Sequence, residues 1–179
     1  MKIWQKPSFR FLLQETHTFV TCVELVNTRG IITEREGTRL LKLARELSQH
    51  PQIHALCMTD NAGGNAMLSA DTMGTDLISR GQEVVIHLSC KDWNRNGLQS
   101  QAWKLASEGF NNVLTLSGDY PISGYQGQAS AVFDIDSVGL LKMISEMNAG
   151  LEVNVGQNKK KRVLKRTRFF SGAVINNHK

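Results

Sequence analysis

Five short apolar runs, each followed by a stretch with helical periodicity, set the limits on what this chain can fold into. The runs are Phe19 to Val26, Ile53 to Thr59, Glu83 to Ser89, Asn112 to Ser117 and Phe169 to Ile175. Several are almost continuous in Val, Ile, Leu and Ala, as strands buried on both faces of a parallel sheet tend to be. The first four begin about 30 residues apart, which is the length a strand–helix–strand unit needs. The sequence therefore predicts an α/β fold of parallel βα units, with residues 1–179 forming a single domain.

The helical stretches carry their own start and stop signals. Thr33-Glu34-Arg35-Glu36 has capping-box spacing and opens a segment with Leu40, Leu43, Ala44 and Leu47 on one face. Ser69 is placed to cap a second helix that stops at Gly81. Leu98, Ala102, Leu105 and Ala106 mark a third, ended by Gly109. Asp134 or Asp136 starts a fourth, with Val138, Leu141 and Ile144 expected inward and Gly150 as its stop. Between the fourth helix and the fifth strand lie residues 151–168, polar, basic and without periodicity, which read as an exposed insertion. Two architectures fit this plan. A doubly wound five-stranded sheet would be complete at this length. A TIM (β/α)8-type barrel needs about 250 residues, so the chain would supply only its first five strands.

Charge and cysteine usage narrow the function classes. The net charge is +5, yet Lys159, Lys160, Lys161, Arg162, Lys165, Arg166 and Arg168 supply seven of the 21 basic residues. The other 14 are outnumbered by 16 acidic residues, so the basic character belongs to one segment and a nucleic-acid partner is not expected. Cys22, Cys57 and Cys90 are odd in number with no CxxC pairing, which predicts buried free thiols rather than disulfides. The five histidines do not combine with cysteines or carboxylates in a metal-ligand spacing. There is no Walker-type glycine loop and no Gly-x-Ser-x-Gly elbow. No apolar run reaches the roughly 18–20 residues of a membrane span, and the amino terminus makes a poor signal peptide, so the cytoplasm is the expected compartment.

In either architecture, functional groups belong at the carboxyl ends of the strands. Glu24 sits inside the apolar run Val20 to Val26. If buried there, its carboxyl would be pushed toward the neutral form and suited to acid–base work. A strand-end glutamate reaching water, or paired with Arg29, is the plainer alternative. The later strands end in Thr59-Asp60-Asn61-Ala62-Gly63-Gly64-Asn65, in His87-Leu88-Ser89-Cys90-Lys91-Asp92, and in Ser117-Gly118-Asp119-Tyr120-Pro121. Each is a polar loop that could equally be a surface turn. What informs is that one follows each strand.

These pieces, in this order, resemble the methylenetetrahydrofolate reductase family. The likeness runs through Val23-Glu24-Leu25-Val26 with Arg29-Gly30, then the loops just quoted with Asn94-Arg95-Asn96-Gly97-Leu98-Gln99-Ser100. It continues through Val132-Phe133-Asp134-Ile135-Asp136-Ser137-Val138 and Phe169-Phe170-Ser171-Gly172-Ala173. The resemblance implies a barrel that holds FAD at the carboxyl ends of its strands, takes hydride from NADH or NADPH, and reduces 5,10-methylenetetrahydrofolate to 5-methyltetrahydrofolate. It assigns Glu24 as the general acid that helps open the folate ring. Asp119 would be a second catalytic carboxylate, beside flavin and pterin, and both would contact substrate. It implies flavin contacts from Thr59, Asp60, Ala62, His87, Ser117, Gly118, Asp119, Phe133 and Asp134. Two departures stand out. Leu25-Val26-Asn27-Thr28 replaces the Phe-Phe-Pro-Pro that follows the glutamate in many members, and Ser117 stands where others carry Thr or Arg. Family members continue for about three more strands, so the expectation is a partial barrel, inactive and weak in FAD binding when isolated. The alternative expectation is a non-catalytic subunit completed by self-association or by a second chain.

Overall fold

The computed structural model describes residues 6–120, 129–156 and 160–175. A five-stranded parallel sheet forms its centre, built from β1 (Cys22–Leu25), β2 (Ala55–Met58), β3 (Glu83–Ser89), β4 (Asn112–Leu116) and β7 (Phe170–Ala173) in the order β1-β2-β3-β4-β7. The connections are α2 (Arg35–Ser48), α3 (Ala70–Ser79), α4 (Arg95–Glu108) and α5 (Ser137–Ala149). Strand order follows chain order, as in successive units of a βα barrel and unlike a doubly wound sheet, whose order reverses at a switch point. Among the described residues the sheet stays open, with β1 and β7 at its edges.

One face of the sheet carries the core. Leu25, Met58, Ile86 and Val113 lie in one register row and pack beneath the helices with Met73, Leu77, Leu98, Leu105, Leu140 and Met143. The opposite face, which presents Glu24, Cys57 and Val85 in the adjacent row, is the one a closed barrel turns inward.

Helix ends correct several sequence expectations. Thr33 does not cap α2: the N-cap is Glu34, whose Oε1 instead accepts from the Ile31 amide at 3.2 Å. Leu43 lies on the exposed side of α2, and Ala44 is the residue that packs fully. Ser69 is the N-cap of α3, but its hydroxyl is bound to Asp71 rather than to a helix amide. Both candidate starts of the fourth predicted helix are used, for different purposes. Asp136 caps α5 through the Gly139 amide at 2.7 Å, while Asp134 accepts the Arg95 amide at 2.8 Å, at the start of α4 beside that helix's own N-cap Asn94. The buried stripe of α5 is Leu140, Met143, Ile144 and Met147, with Val138 70% exposed. Of the expected face Ile144 is buried and Leu141 half-buried, while Val138 at the first turn points to solvent.

Two elements had no legible signal. Helix α1 (Phe9–Glu15) is capped by Ser8 and tucks under the amino-terminal ends of the strands. There the Phe9 amide donates to Glu83 at 3.0 Å, and the Phe9 ring meets Phe170 edge-on at 6.3 Å. Residues 151–168 are not structureless: β5 (Glu152–Val155) and β6 (Lys160–Val163) pair as an exposed antiparallel hairpin. Lys159 and Pro121 lie outside the described residues.

An ion-pair cluster ties α2 to α3. Asp76 accepts from Arg45 at 2.7 and 3.0 Å and from Arg80 at 2.9 Å, and the Arg45 guanidinium beside it holds its carboxyl down at about 2. A depressed carboxyl stabilises the fold above its unfolded value, and that contribution fades as pH falls through the folded one. Partial exposure screens the pair. Asp76→Asn is therefore expected to cost about 1 kcal/mol at pH 7, with the difference from wild type shrinking in urea melts between about pH 4 and pH 2.

Candidate functional site

The carboxyl ends of all five strands surround one cleft of about 540 Å³. Eight of the ten residues singled out in the sequence line it: Glu24, Thr59, Asp60, Ala62, His87, Ser117, Gly118 and Asp119. Phe133 and Asp134 do not. Phe133, at φ 42°, stacks on Tyr120 with ring centroids 5.9 Å apart. Asp134 is occupied by the Arg95 amide at the start of α4. Both shape the segment that carries the rim rather than the rim itself.

Glu24 stands on the exposed row of β1, so of the two readings the plainer one holds, a glutamate that reaches water rather than one buried in the strand. The alternation of β1 explains it: Leu25 points into the core, and Glu24 points to the face that lacks a covering layer. Nor is Arg29 its partner, since that guanidinium donates to Asn65 at 2.7 Å. Cys22, two residues before Glu24 on the same face, is also exposed, against the expectation of a buried thiol. A hydrogen bond from Cys57 on the neighbouring strand lowers its pKa to about 7, and Cys57 is raised in turn.

The floor of the cleft is electrostatically tense. Burial pushes the Asp60 carboxyl upward, opposed by hydrogen bonds from the Ser89 hydroxyl at 2.7 Å and the Ser89 amide at 3.0 Å. Burial also pushes His87 below the ordinary histidine value, opposed by the negative charges of Glu24 and Asp60. Its imidazole is thus neutral at pH 7, offering one donor and one acceptor nitrogen. Asp119 accepts from the Gly63 amide at 2.8 Å, which fastens the loop after β4 to the loop after β2.

Several residues that sequence reasoning passed over build this rim. Asn27 is buried and donates to the Thr59 carbonyl at 2.9 Å and to the Leu68 carbonyl at 2.8 Å. Its backbone N–H also donates to Thr59 Oγ1 at 3.3 Å, so the threonine hydroxyl is already engaged within the protein. Lys91 is 1% exposed and pairs with Asp92, which accepts from Asn61 at 2.9 Å. Lys91 lies directly under Gly118: a Cβ at 118 would come within 2.8 Å of its Cδ, and φ there is +88°. Gly118 is required on both counts. Gly118→Ala is expected to lower stability by about 2 kcal/mol and to displace Ser117 and Asp119. Thermal melting together with ligand titration would register both effects.

The lining mixes polar and apolar side chains. Asp60, His87, Ser117 and Asp119 supply hydrogen-bonding groups beside apolar contacts from Ala62, Leu114, Leu116 and Val174. The volume lies in the range of small-molecule sites. Among the described residues no three His, Cys, Asp or Glu side chains are grouped to hold a metal ion, and no helix is long and apolar enough to cross a membrane.

Comparison with known proteins gives one result. A family profile described as methylenetetrahydrofolate reductase matches residues 17–157. No curated protein and no solved structure gave a match.

Proposed function

Because the chain belongs to the methylenetetrahydrofolate reductase family, we propose that its cleft is a site for flavin-dependent reduction of 5,10-methylenetetrahydrofolate to 5-methyltetrahydrofolate. The observation that carries the reading is the convergence of Glu24, Thr59, Asp60, His87 and Asp119, from four strands and their loops, on one cleft. FAD, when bound, supplies hydride carriage between NADH or NADPH and the folate.

The chain's own residues have separable tasks. Neutral His87, with Ser117 and the backbone around Gly118, would hold the polar edge of the cofactor, and Ala62, Leu114 and Val174 would exclude water from its ring. Glu24, open to the cleft from β1, would hand a proton to a nitrogen of the five-membered folate ring, opening it to the electrophilic iminium. Asp119, fixed by the Gly63 amide, would orient the pterin beside the ring that Asp60 and His87 flank. The three described cysteines are free, as suits the reducing cytoplasm to which this reading assigns the chain. The test is folate-dependent oxidation of NADH or NADPH in the presence of FAD, with 5-methyltetrahydrofolate identified as product. Oxidation of the nicotinamide that ignores the folate would contradict it.

A second reading is favoured by the open sheet. The edge strands β1 and β7 have no described neighbours on their outer sides, and Phe19 and Ile175 beside them are 88% and 92% exposed. Such edges call for further strands. Supplied by the same polypeptide, by a second copy or by another chain, they would complete the site. A chain that acts only in such an assembly is a subunit rather than a self-sufficient enzyme. Reconstitution with the completing strands separates the two.

A further inference from the structure

At the opposite end of the sheet a second cleft, of about 610 Å³, lies between the carboxyl-terminal half of α4 and the segment that leads from β6 to β7. It shares no residue with the site described above. Trp103, Ala106 and Phe110 form its apolar side, and Lys165, Arg166 and Arg168 form the other. No carboxylate lines it. Among the described residues none of the three cations is in an ion pair.

The cationic wall is held in place by its backbone. The Leu164 amide donates to the Leu151 carbonyl at 2.8 Å and the Thr167 amide to Met147 at 3.1 Å. Asn148 accepts from the Thr167 hydroxyl at 2.7 Å and from the Phe169 amide at 2.9 Å. The Arg166 stem lies against Gly150, where a Cβ would approach its Cγ to 3.4 Å. Three like charges within four residues of one segment border the same cleft and repel one another. An anion seated between them relieves that repulsion and gains charge-assisted hydrogen bonds from the guanidinium forks. Trp103, 38% exposed on the facing wall, offers an indole for a planar ring to stack against.

We propose that this cleft binds a nucleoside phosphate, with the base against Trp103 and the phosphate oxygens on Lys165, Arg166 and Arg168. A single nucleotide matches the cleft's size and its one open aromatic better than a nucleic-acid strand does. Lys161 on the adjoining hairpin is paired with Glu152 at 2.7 Å and so does not extend the unpaired cationic wall.

The experiment is calorimetric titration of the whole chain with ADP, adenosine, inorganic phosphate and a single-stranded oligonucleotide. ADP is expected to bind more tightly than adenosine or phosphate. The double variant Arg166→Gln, Arg168→Gln is expected to weaken ADP about tenfold or more, and Trp103→Leu is expected to weaken it independently. Both changes are at the surface, and circular dichroism verifies that the variants remain folded. Three results would overturn the proposal. Equal binding of phosphate and ADP would mean a general anion patch. ADP binding that survives both variants would place it in the other cleft. Tighter binding of the oligonucleotide than of ADP would make the surface one for nucleic acid.

Discussion

Glu24→Gln is expected to lower folate-dependent turnover by about 10²- to 10⁴-fold, the range that a positioned general acid contributes. The measurement belongs on protein whose sheet is completed by further strands, and the effect should fall on one half of the reaction. Glutamine keeps the size and hydrogen-bonding reach of the side chain but cannot give up a proton at the folate nitrogen. Hydride delivery from NADH or NADPH needs no such proton, so that half-reaction and FAD affinity are expected to hold. Rapid-mixing measurement of each half separately would show the split. Equal loss in both halves would mean that Glu24 shapes the cleft rather than acting as the acid.

The largest effect on stability is expected at Asp92. Lys91 is 1% exposed, and a buried ammonium is tolerated only while its partner is present. Asp92→Leu removes that partner and also strands the Asn61 amide that Asp92 accepts at 2.9 Å. The expected loss is about 3–5 kcal/mol, a large part of the roughly 5–15 kcal/mol that a domain commands. Adding Lys91→Met to that variant removes the uncompensated charge and is expected to recover part of the loss. A double-mutant cycle from denaturant melts decides it. If the second change makes matters worse, the ion pair is not what holds the rim.

Much of this fold was legible because the signals that specify it are local. The five apolar runs became the five strands of the sheet: β3 keeps the run's own bounds, Glu83–Ser89, and the others are shortened where hydrogen-bond pairing stops before the apolar pattern does. Gly81, Gly109 and Gly150 follow their helices at positive φ as expected, since only glycine takes that conformation without strain. Helix starts were harder. Thr33, Ser69 and Asp134 all have capping chemistry, yet the structure uses Glu34, leaves the Ser69 hydroxyl on Asp71 and lends Asp134 to another helix. Capping depends on where neighbouring amides point, which sequence spacing does not encode. Helix α1 and the hairpin were invisible for a related reason. Phe11 and Leu13 of α1 and all of β6 are exposed, so neither segment carries the periodic burial that sequence reading detects.

The candidate site divides in the same way. Its residues were found at strand ends because a parallel βα sheet gathers them there, and eight of them share the cleft. The residues that support them were missed. Lys91 and Asp92 stood within a polar loop that could equally be a surface turn, and Asn27 carried no signal of its own, because nothing in a single sequence separates a buried polar network from a solvated one. Glu24 shows the converse. Its apolar neighbourhood left burial and exposure both open, and alternation along β1 turns it to the open face.

The most direct test of the flavin site is a titration of FAD into protein with its sheet completed, followed by visible absorption. The account predicts saturable uptake of flavin, bleaching by NADH or NADPH, and recovery of colour on adding 5,10-methylenetetrahydrofolate. It also predicts that His87→Ala and Asp119→Ala weaken uptake, while Arg166→Gln, in the far cleft, does not. Flavin uptake indifferent to His87 and Asp119, or no uptake at all by the completed sheet, would contradict the assignment of this cleft.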